Sequence, residues 1–382
     1  TYGREEGDGK SFLGHEDLFS IPLTKEQEEY NFHLVHKIYQ DHVIWTNDAT
    51  WDKIQPIISK LDIAERRTPQ DGASTFKYKN QEIDLRISIL PTKNNERIVM
   101  RILNKEAGDK ALQDLGFEEI DLKKLMKAIT SPQGMVLVTG PTGCGKTTTL
   151  YSILKYINKP SMNILTAEDP VEYELEGVGQ VQVREDIGYT FASALRSFLR
   201  QDPEVILVGE IRDKDTVDIA LKAALTGHLV FSTIHTNDAA STITRLQNMG
   251  TPNYLISAAL SLIMAQRLAR KICSECKVVD ENVTPKLLNA IGLLPEQSAR
   301  ARTYKGKGCN KCNNSGFKGR MGIYEILEVD KELKQGILSN LGQNELYGIA
   351  KKNGFRPMQS MGHDLLLSGD LSYTEYERML LT

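Results

Sequence analysis

The sequence predicts an α/β fold, a parallel sheet carrying a phosphate-binding loop, and three observations predict it. "MVLVTG" runs straight into "GPTGCGKTTT" at residues 140–149, and "TTTLYSILKYI" continues from it as a helix. Three further apolar runs, "NILTAEDP", "EVILVGEIRD" and "HLVFSTIHT", each end in polar residues, as buried strands do at a sheet edge. Between the last two, "DTVDIALKAALTG" starts on Asp and ends on Gly, the pattern of a capped helix. Strands alternating with helices imply a right-handed parallel sheet that binds ligands beyond the carboxyl ends of its strands. The polar residues at those ends are therefore the candidate site.

Taken in order, residues 1–30 read as a glycine-bearing, acidic linker. Residues 31–112 read as a smaller α+β domain, in which "IDLRISIL" and "ERIVMRIL" alternate as half-buried strands around the turn "PTKNN". Residues 113–270 form the α/β core, and 271–318 a cysteine-bearing module. Residues 319–382 form a region of short amphipathic helices such as "ELYGIAKKNGF" and "YTEYERMLL". The apolar run "YLISAALSLIMA" meets Gln266 and Arg267, and its length suits a buried core helix rather than a membrane span. No internal repeat interrupts the chain.

Forty-seven basic against fifty acidic residues give a net charge of −3 over 382 residues, without the basic excess of a dedicated nucleic-acid binder. The polar N-terminus lacks the apolar core of a signal peptide. The chain begins at Thr1 rather than Met and is expected to be a piece of a longer protein. Four of its five cysteines form two C-x-x-C pairs, which read as metal ligands in a reducing cytoplasm rather than a disulfide framework.

Gly140, Gly145, Lys146 and Thr147 fit G-x-x-x-x-G-K-[ST]. Glycines let backbone N–H groups curl around an anion at a helix N-terminus; Lys146 then reaches the β/γ-phosphates and Thr147 ligates Mg²⁺. The nucleotide-binding set is Gly140, Pro141, Thr142, Gly143, Cys144, Gly145, Lys146, Thr147 and Thr148. Glu210, at the tip of "VILVGEIRD", can hold Mg²⁺ through water or orient the attacking water; a solvent-facing turn residue is the competing account. Glu168, Asp169 and Glu172 in "AEDPVEY" can complete a metal and water shell, against a plain turn set by Pro170. His228 and His235 flank "LVFSTI"; His235 is placed to sense a γ-phosphate, against the satisfied structural histidine that a lone His more often is.

Cys273, Cys276, Cys309 and Cys312 read as C-x₂-C pairs with a thirty-two-residue spacer, long enough to hold its own helix in "PKLLNAIGLL". Four thiolates favour a closed tetrahedral Zn²⁺ site, structural rather than catalytic. A redox dithiol competes weakly, because the pairs do not open a helix of a βα unit. Arg86, Arg97 and Arg101 lie on strands of the smaller domain. Surface charge is their default, yet arginine is what a neighbouring domain supplies to phosphoryl transfer.

The segments "GPTGCGKTTTLY", "ILTAEDPVEY", "LRQDPEVILVGEIRD" and "GHLVFSTIHTNDA" resemble, in order and spacing, the Walker A, Asp, Walker B and His boxes of the secretion and traffic ATPases. With "LDIAERRTPQDG" before them, and the paired cysteines and "GRMGIYEIL" after them, the chain resembles the branch holding type IV pilus assembly ATPases and type II secretion ATPases. The resemblance covers roughly residues 55–375. It implies a RecA-like core with a smaller PAS-like N-terminal domain. Glu210 would activate the hydrolytic water, Glu168 would assist the metal and water, and His235 would sense the γ-phosphate. Arg86 and Arg101 would swing towards the nucleotide, with Arg196 and Arg200 near the phosphates. It also implies a homohexameric ring at the cytoplasmic face of a bacterial inner membrane. Hydrolysis of ATP there would move an inner-membrane platform protein and extract pilins or pseudopilins, with membrane association through partners and no direct nucleic acid.

Two departures from the family stand in residues 31–70. Its early N-terminal strands are not legible in "NFHLVHKIYQDHVIWTNDATWDKIQPIISK", and the stretch around Lys60 and Leu61 is a few residues short. The expectation is that residues are missing before position 70. Competing readings are a competence-pilus ATPase on the same core and, from another class, a zinc-containing nucleic-acid-binding protein. The charge balance and the lack of aromatic-basic clustering near the cysteines oppose the latter.

Overall fold

The structure, a computed structural model, describes residues 43–46, 61–62, 65–78, 81–93, 96–103 and 110–380. The expected linker at 1–30, and most of the segment that departs from the family pattern, lie outside the described residues. The chain divides into two compact units, residues 1–108 and 109–382.

In the first unit, β1 (Val43–Thr46), β2 (Gln70–Tyr78), β3 (Gln81–Pro91) and β4 (Glu96–Leu103) form an antiparallel sheet in the order β1-β4-β3-β2. Period-two alternation works as expected. Leu85, Ile87 and Ile89 of β3 pack with Ile98 and Met100 of β4 on one face. Arg86 and Ser88 fall between them, on the other face.

The second unit is built on a seven-stranded sheet in the order β13-β10-β5-β9-β8-β6-β7. Its strands are β5 (Gly134–Thr139), β6 (Ile164–Glu168), β7 (Val178–Gln182), β8 (Val205–Val208), β9 (Leu229–Ile234), β10 (Leu260–Ile272) and β13 (Phe317–Glu328). All pairs are parallel except β10 with β13. Every residue of β5, β8 and β9 is buried, which is why they read as unbroken apolar runs. Helix α1 (Glu119–Ile129) packs on β5, β10 and β13, and α2 (Lys146–Ile157) on β5; α3 (Phe191–Phe198) covers β6 and β8, and α4 (Lys214–Leu225) covers β5 and β9. Asp213 caps α4, its side chain accepting from Thr216 N–H, two residues before the Asp that the sequence suggests.

Three boundaries differ from expectation. The run "YLISAALSLIMA" is not one helix: after α5 (Ala239–Asn248), α6 (Asn253–Ala259) takes only its first half, and from Leu260 the chain is strand β10. An apolar run broken only by Ser257 and Ser261 carries no clear period to separate helix from strand. β10 also runs past residue 270 to Ile272 and ends against the first cysteine. The last region opens with β13, a strand of the main sheet, before its helices α9 (Lys331–Leu338), α10 (Gln343–Lys352), α11 (Met358–Ser368) and α12 (Tyr373–Leu380). Between β10 and β13 lies the cysteine module, with β11 (Lys277–Val279) paired to β12 (Tyr304–Gly306) and two short helices, α7 (Pro285–Ala290) and α8 (Pro295–Arg300).

Candidate active site

Parallel pairing places the ends of β5, β9, β8 and β6 along one edge of the sheet, so the segments that follow them converge. Beyond β5 the loop turns on Gly140, Gly143 and Gly145, with φ of 145°, 78° and 92°. A Cβ at Gly140 would lie 2.4 Å from the Gln266 carbonyl oxygen and 2.7 Å from Cys144 Sγ, so this position excludes any side chain. Lys146 opens α2, and its Nζ donates to the Gly140 and Pro141 carbonyls at 2.8 and 3.2 Å. An ammonium satisfied by two carbonyls of its own loop can exchange them for anionic oxygens. Thr147 and Thr148 follow in the first helical turn, half-buried. Burial pushes the Cys144 thiol up, keeping it neutral within the loop.

β9 straps down the segment after β8. Ser232 and Thr233 hydroxyls donate to the Val208 and Gly209 carbonyls, each at 2.7 Å, and Ile211 N–H donates to the Thr233 carbonyl at 2.9 Å. Glu210 is thereby held at the sheet edge. Its Oε1 lies 3.0 Å from His235 Nε2, and its Oε2 accepts from Arg212 Nε at 3.0 Å. Arg212 also reaches Asp169 at 3.3 Å and Glu185 at 3.6 Å, gathering three carboxylates around one guanidinium. Thr139, the last residue of β5, joins the loops: its hydroxyl bridges to Ile234 and Thr236 beside His235.

The remaining predicted residues are placed differently. Glu168 is 4% exposed, and its oxygens accept from Tyr151, Thr166 and Gln180. Burial, and then the Glu168 carboxylate beside it, push the Tyr151 phenol far up, so it remains a donor. Arg196 pairs with Asp215 at 3.9 Å, and Arg200 donates to the Arg196 carbonyl and the Ser197 hydroxyl; these partners lie on α3 and α4 rather than on the phosphate loop. Arg86 and Arg101 are direct cross-strand neighbours in the β3–β4 register, in the first unit. His228 packs its ring nitrogen against the Ala223 carbonyl at 2.9 Å, at the end of α4.

Gln266, Arg212 and Tyr151 were not among the predicted residues. The trace of Gln266 in the sequence is a polar residue closing an apolar run. Nothing local marks its partners, which lie more than a hundred residues away.

The four cysteine sulfurs lie within 4.8 Å of one another, with Cys273–Cys309, Cys276–Cys312 and Cys309–Cys312 at 3.9, 3.8 and 3.7 Å. A tetrahedron with Zn–S bonds of about 2.3 Å has edges of about 3.8 Å, so the spacing fits that ion. Gly308 and Cys309 N–H groups donate to Cys276 and Cys312 sulfurs at 3.3 and 3.2 Å, which favours thiolates.

A profile of the family described as "Type II/IV secretion system protein" matches residues 32–378. The chain belongs to this family. The type IV pilus assembly ATPase PilB of Myxococcus xanthus is 47% identical over 320 residues, 84% of this chain and 56% of that protein. The type II secretion system protein E of Pseudomonas aeruginosa is 45% identical over 298 residues, 78% of this chain and 59% of its own length. The chain therefore spans little more than half of these relatives. The solved pilus retraction motor PilT with bound ADP aligns over 81% of this chain and 77% of its own, with a TM-score of 0.60 and 29% identity. The ATPase DotB of Yersinia pseudotuberculosis shares the fold at TM-score 0.68 and 20% identity, over 93% of this chain and 94% of that one. The RecA-like α/β core expected of this secretion family is thus the observed fold. Among the described residues no helix is long and apolar enough to cross a membrane.

Proposed function

We propose that this chain is the ATPase portion of a motor that assembles a type IV pilus. The observation that carries the reading is the sheet edge itself. A phosphate loop whose lysine is held by carbonyls of its own loop stands beside a Glu210–His235 pair, in a chain 45–47% identical to pilus assembly ATPases over more than four-fifths of its length.

Loop amides 143–148 and Lys146 hold the β- and γ-phosphates, and Thr147 holds Mg²⁺, which supplies charge neutralisation to the transferring phosphoryl group. Both Glu210 oxygens are engaged, Oε1 with His235 and Oε2 with Arg212. His235 transfers its N–H from Glu210 Oε1 to a γ-phosphate oxygen, and the released Oε1 accepts a proton from the attacking water. Glu168, buried at the end of β6, acts through Tyr151 and Gln180 on the segment from Glu172 to Leu175. Arg86 and Arg101 are brought to the nucleotide by the first unit, and Arg196 and Arg200 act at the phosphates from their helix. Zn²⁺ is held by the four cysteines as a structural ion.

The ring is a homohexamer at the cytoplasmic face of the inner membrane. It drives a membrane platform protein and touches the membrane through that partner. A second reading, a type II secretion motor, is favoured by the 45% identity to secretion protein E and uses the same residues. Deleting the gene in its host and scoring surface pili and secreted enzymes together tests the assignment. Lost pili with normal secretion are expected; lost secretion with intact pili would replace the pilus reading by the second.

A further inference from the structure

Gln266 stands where β10 stops pairing with β5, one residue beyond the register pair Ala265–Thr139 and directly under the phosphate loop. It is 2% exposed, and both ends of its amide are hydrogen-bonded. Nε2 donates to the Cys144 carbonyl at 2.7 Å, and Oε1 accepts from the Thr149 hydroxyl at 2.9 Å. The orientation of the amide is fixed by chemistry, because a carbonyl can only accept and so must face the NH₂ end. Its main chain also packs against the loop, 2.4 Å from where a Gly140 Cβ would stand, and its Nε2 lies 2.8 Å from a Gly145 Cβ position.

The consequence follows from peptide geometry. In a trans peptide the C=O of one residue and the N–H of the next point in opposite directions. Tethering the Cys144 carbonyl to Gln266 therefore turns the Gly145 N–H away from β10, towards the concave side of the loop where an anion sits. A rotated peptide would instead present a carbonyl oxygen to the phosphates. The glycines make such rotation cheap, so the loop needs an external tether to keep its donors aligned.

We propose that Gln266 is a positioning residue for nucleotide phosphate, holding the Cys144–Gly145 peptide in the donor-inward orientation. This rests on the nucleotide-binding reading above and names a residue outside the phosphate-loop motif on which that binding depends. The neighbouring Arg267 extends the same brace: its Nη2 donates to the Asn237 carbonyl at 2.9 Å, in the loop that follows His235.

The test is ADP binding, read by a fluorescent ADP analogue, to the wild-type chain, Gln266→Glu and Gln266→Leu at pH 8 and pH 6. A carboxylate at this position faces the Cys144 carbonyl with no proton. Gln266→Glu should lose about 10- to 100-fold in affinity at pH 8. A buried carboxyl without a cationic partner titrates upward, and once protonated it donates to Cys144 as the amide did. Its affinity should therefore recover to within a few-fold of wild type at pH 6. Gln266→Leu has no proton to regain and should be equally weak at both pH values. If both variants bind ADP like wild type, or lose affinity with no pH-dependent recovery in Gln266→Glu, the proposal is overturned. Wild-type chain that fails to bind ADP would instead remove the nucleotide reading itself.

Discussion

Glu375→Gln should cost the protein stability in a way that fades as the solution is acidified. The Glu375 side chain is fully buried on α12, where it meets Arg270 of β10. It accepts from Arg270 N–H at 2.8 Å, from Arg270 Nε and Nη2 at 3.1 and 2.8 Å, and from Arg378 Nε at 3.0 Å, with Arg378 Nη2 closing the network. Burial works to raise this carboxyl, but the Arg378 and Arg270 guanidiniums outweigh it and hold it at about 2 instead of the ordinary 4.5. A carboxyl depressed by folding stabilises the native state above its unfolded value and loses that contribution as pH falls through the folded one. At about 1.4 kcal/mol per pH unit the depression corresponds to about 3 kcal/mol at pH 7. Linkage removes about 1 kcal/mol of it by pH 4 and about 2 kcal/mol by pH 3. Glutamine keeps one acceptor but no charge, so its penalty should be about 3 kcal/mol at pH 7, or roughly 6–12 °C in melting temperature for a domain of this size. Thermal melts of wild type and variant at pH 7, 5.5 and 4 measure the gap, and titrations common to both proteins cancel. A gap below about 1 kcal/mol at pH 7, or one that does not narrow by pH 4, would refute the reasoning.

Two further outcomes are expected. The native chain should carry one zinc, and replacing Cys273 and Cys309 with Ser should release it and loosen residues 271–318. Metal analysis that finds no ion in native protein would contradict the four-cysteine site. Arg86→Ala and Arg101→Ala should each lower ATP turnover while leaving the melting of the second unit unchanged. Wild-type turnover in the double variant would remove these arginines from the reaction.

What the sequence made legible was what is encoded locally. The phosphate loop, the strands around it and the α4 helix follow from glycines, apolar runs and caps within a dozen residues. The cysteine pairs were legible because metal chemistry dictates both their type and their spacing. The rest was not encoded locally: residues 254–265 read as one helix because an apolar run broken only by two serines has no clear period, and β10 and β13 join the sheet through partners far apart in sequence. At the site, Glu210 and His235 were recognisable as polar residues ending apolar strands, and the structure brings them to 3.0 Å. Glu168 carries the same signature, yet its carboxylate turns inward to Tyr151, Thr166 and Gln180, an orientation no strand-end pattern encodes. Gln266 and Arg212 act through tertiary contacts and have no motif of their own.

The measurement that tests the central claim most directly is steady-state ATP turnover, with magnesium, by wild type, Lys146→Ala and Glu210→Gln, alongside nucleotide binding. Wild type should hydrolyse ATP, and Lys146→Ala should show no turnover. Glu210→Gln should retain binding with turnover reduced by about 10²- to 10⁴-fold, as expected when a general base is removed. Undiminished hydrolysis in Lys146→Ala, or Glu210→Gln turning over like wild type, would contradict the assignment of this sheet edge as an ATPase site.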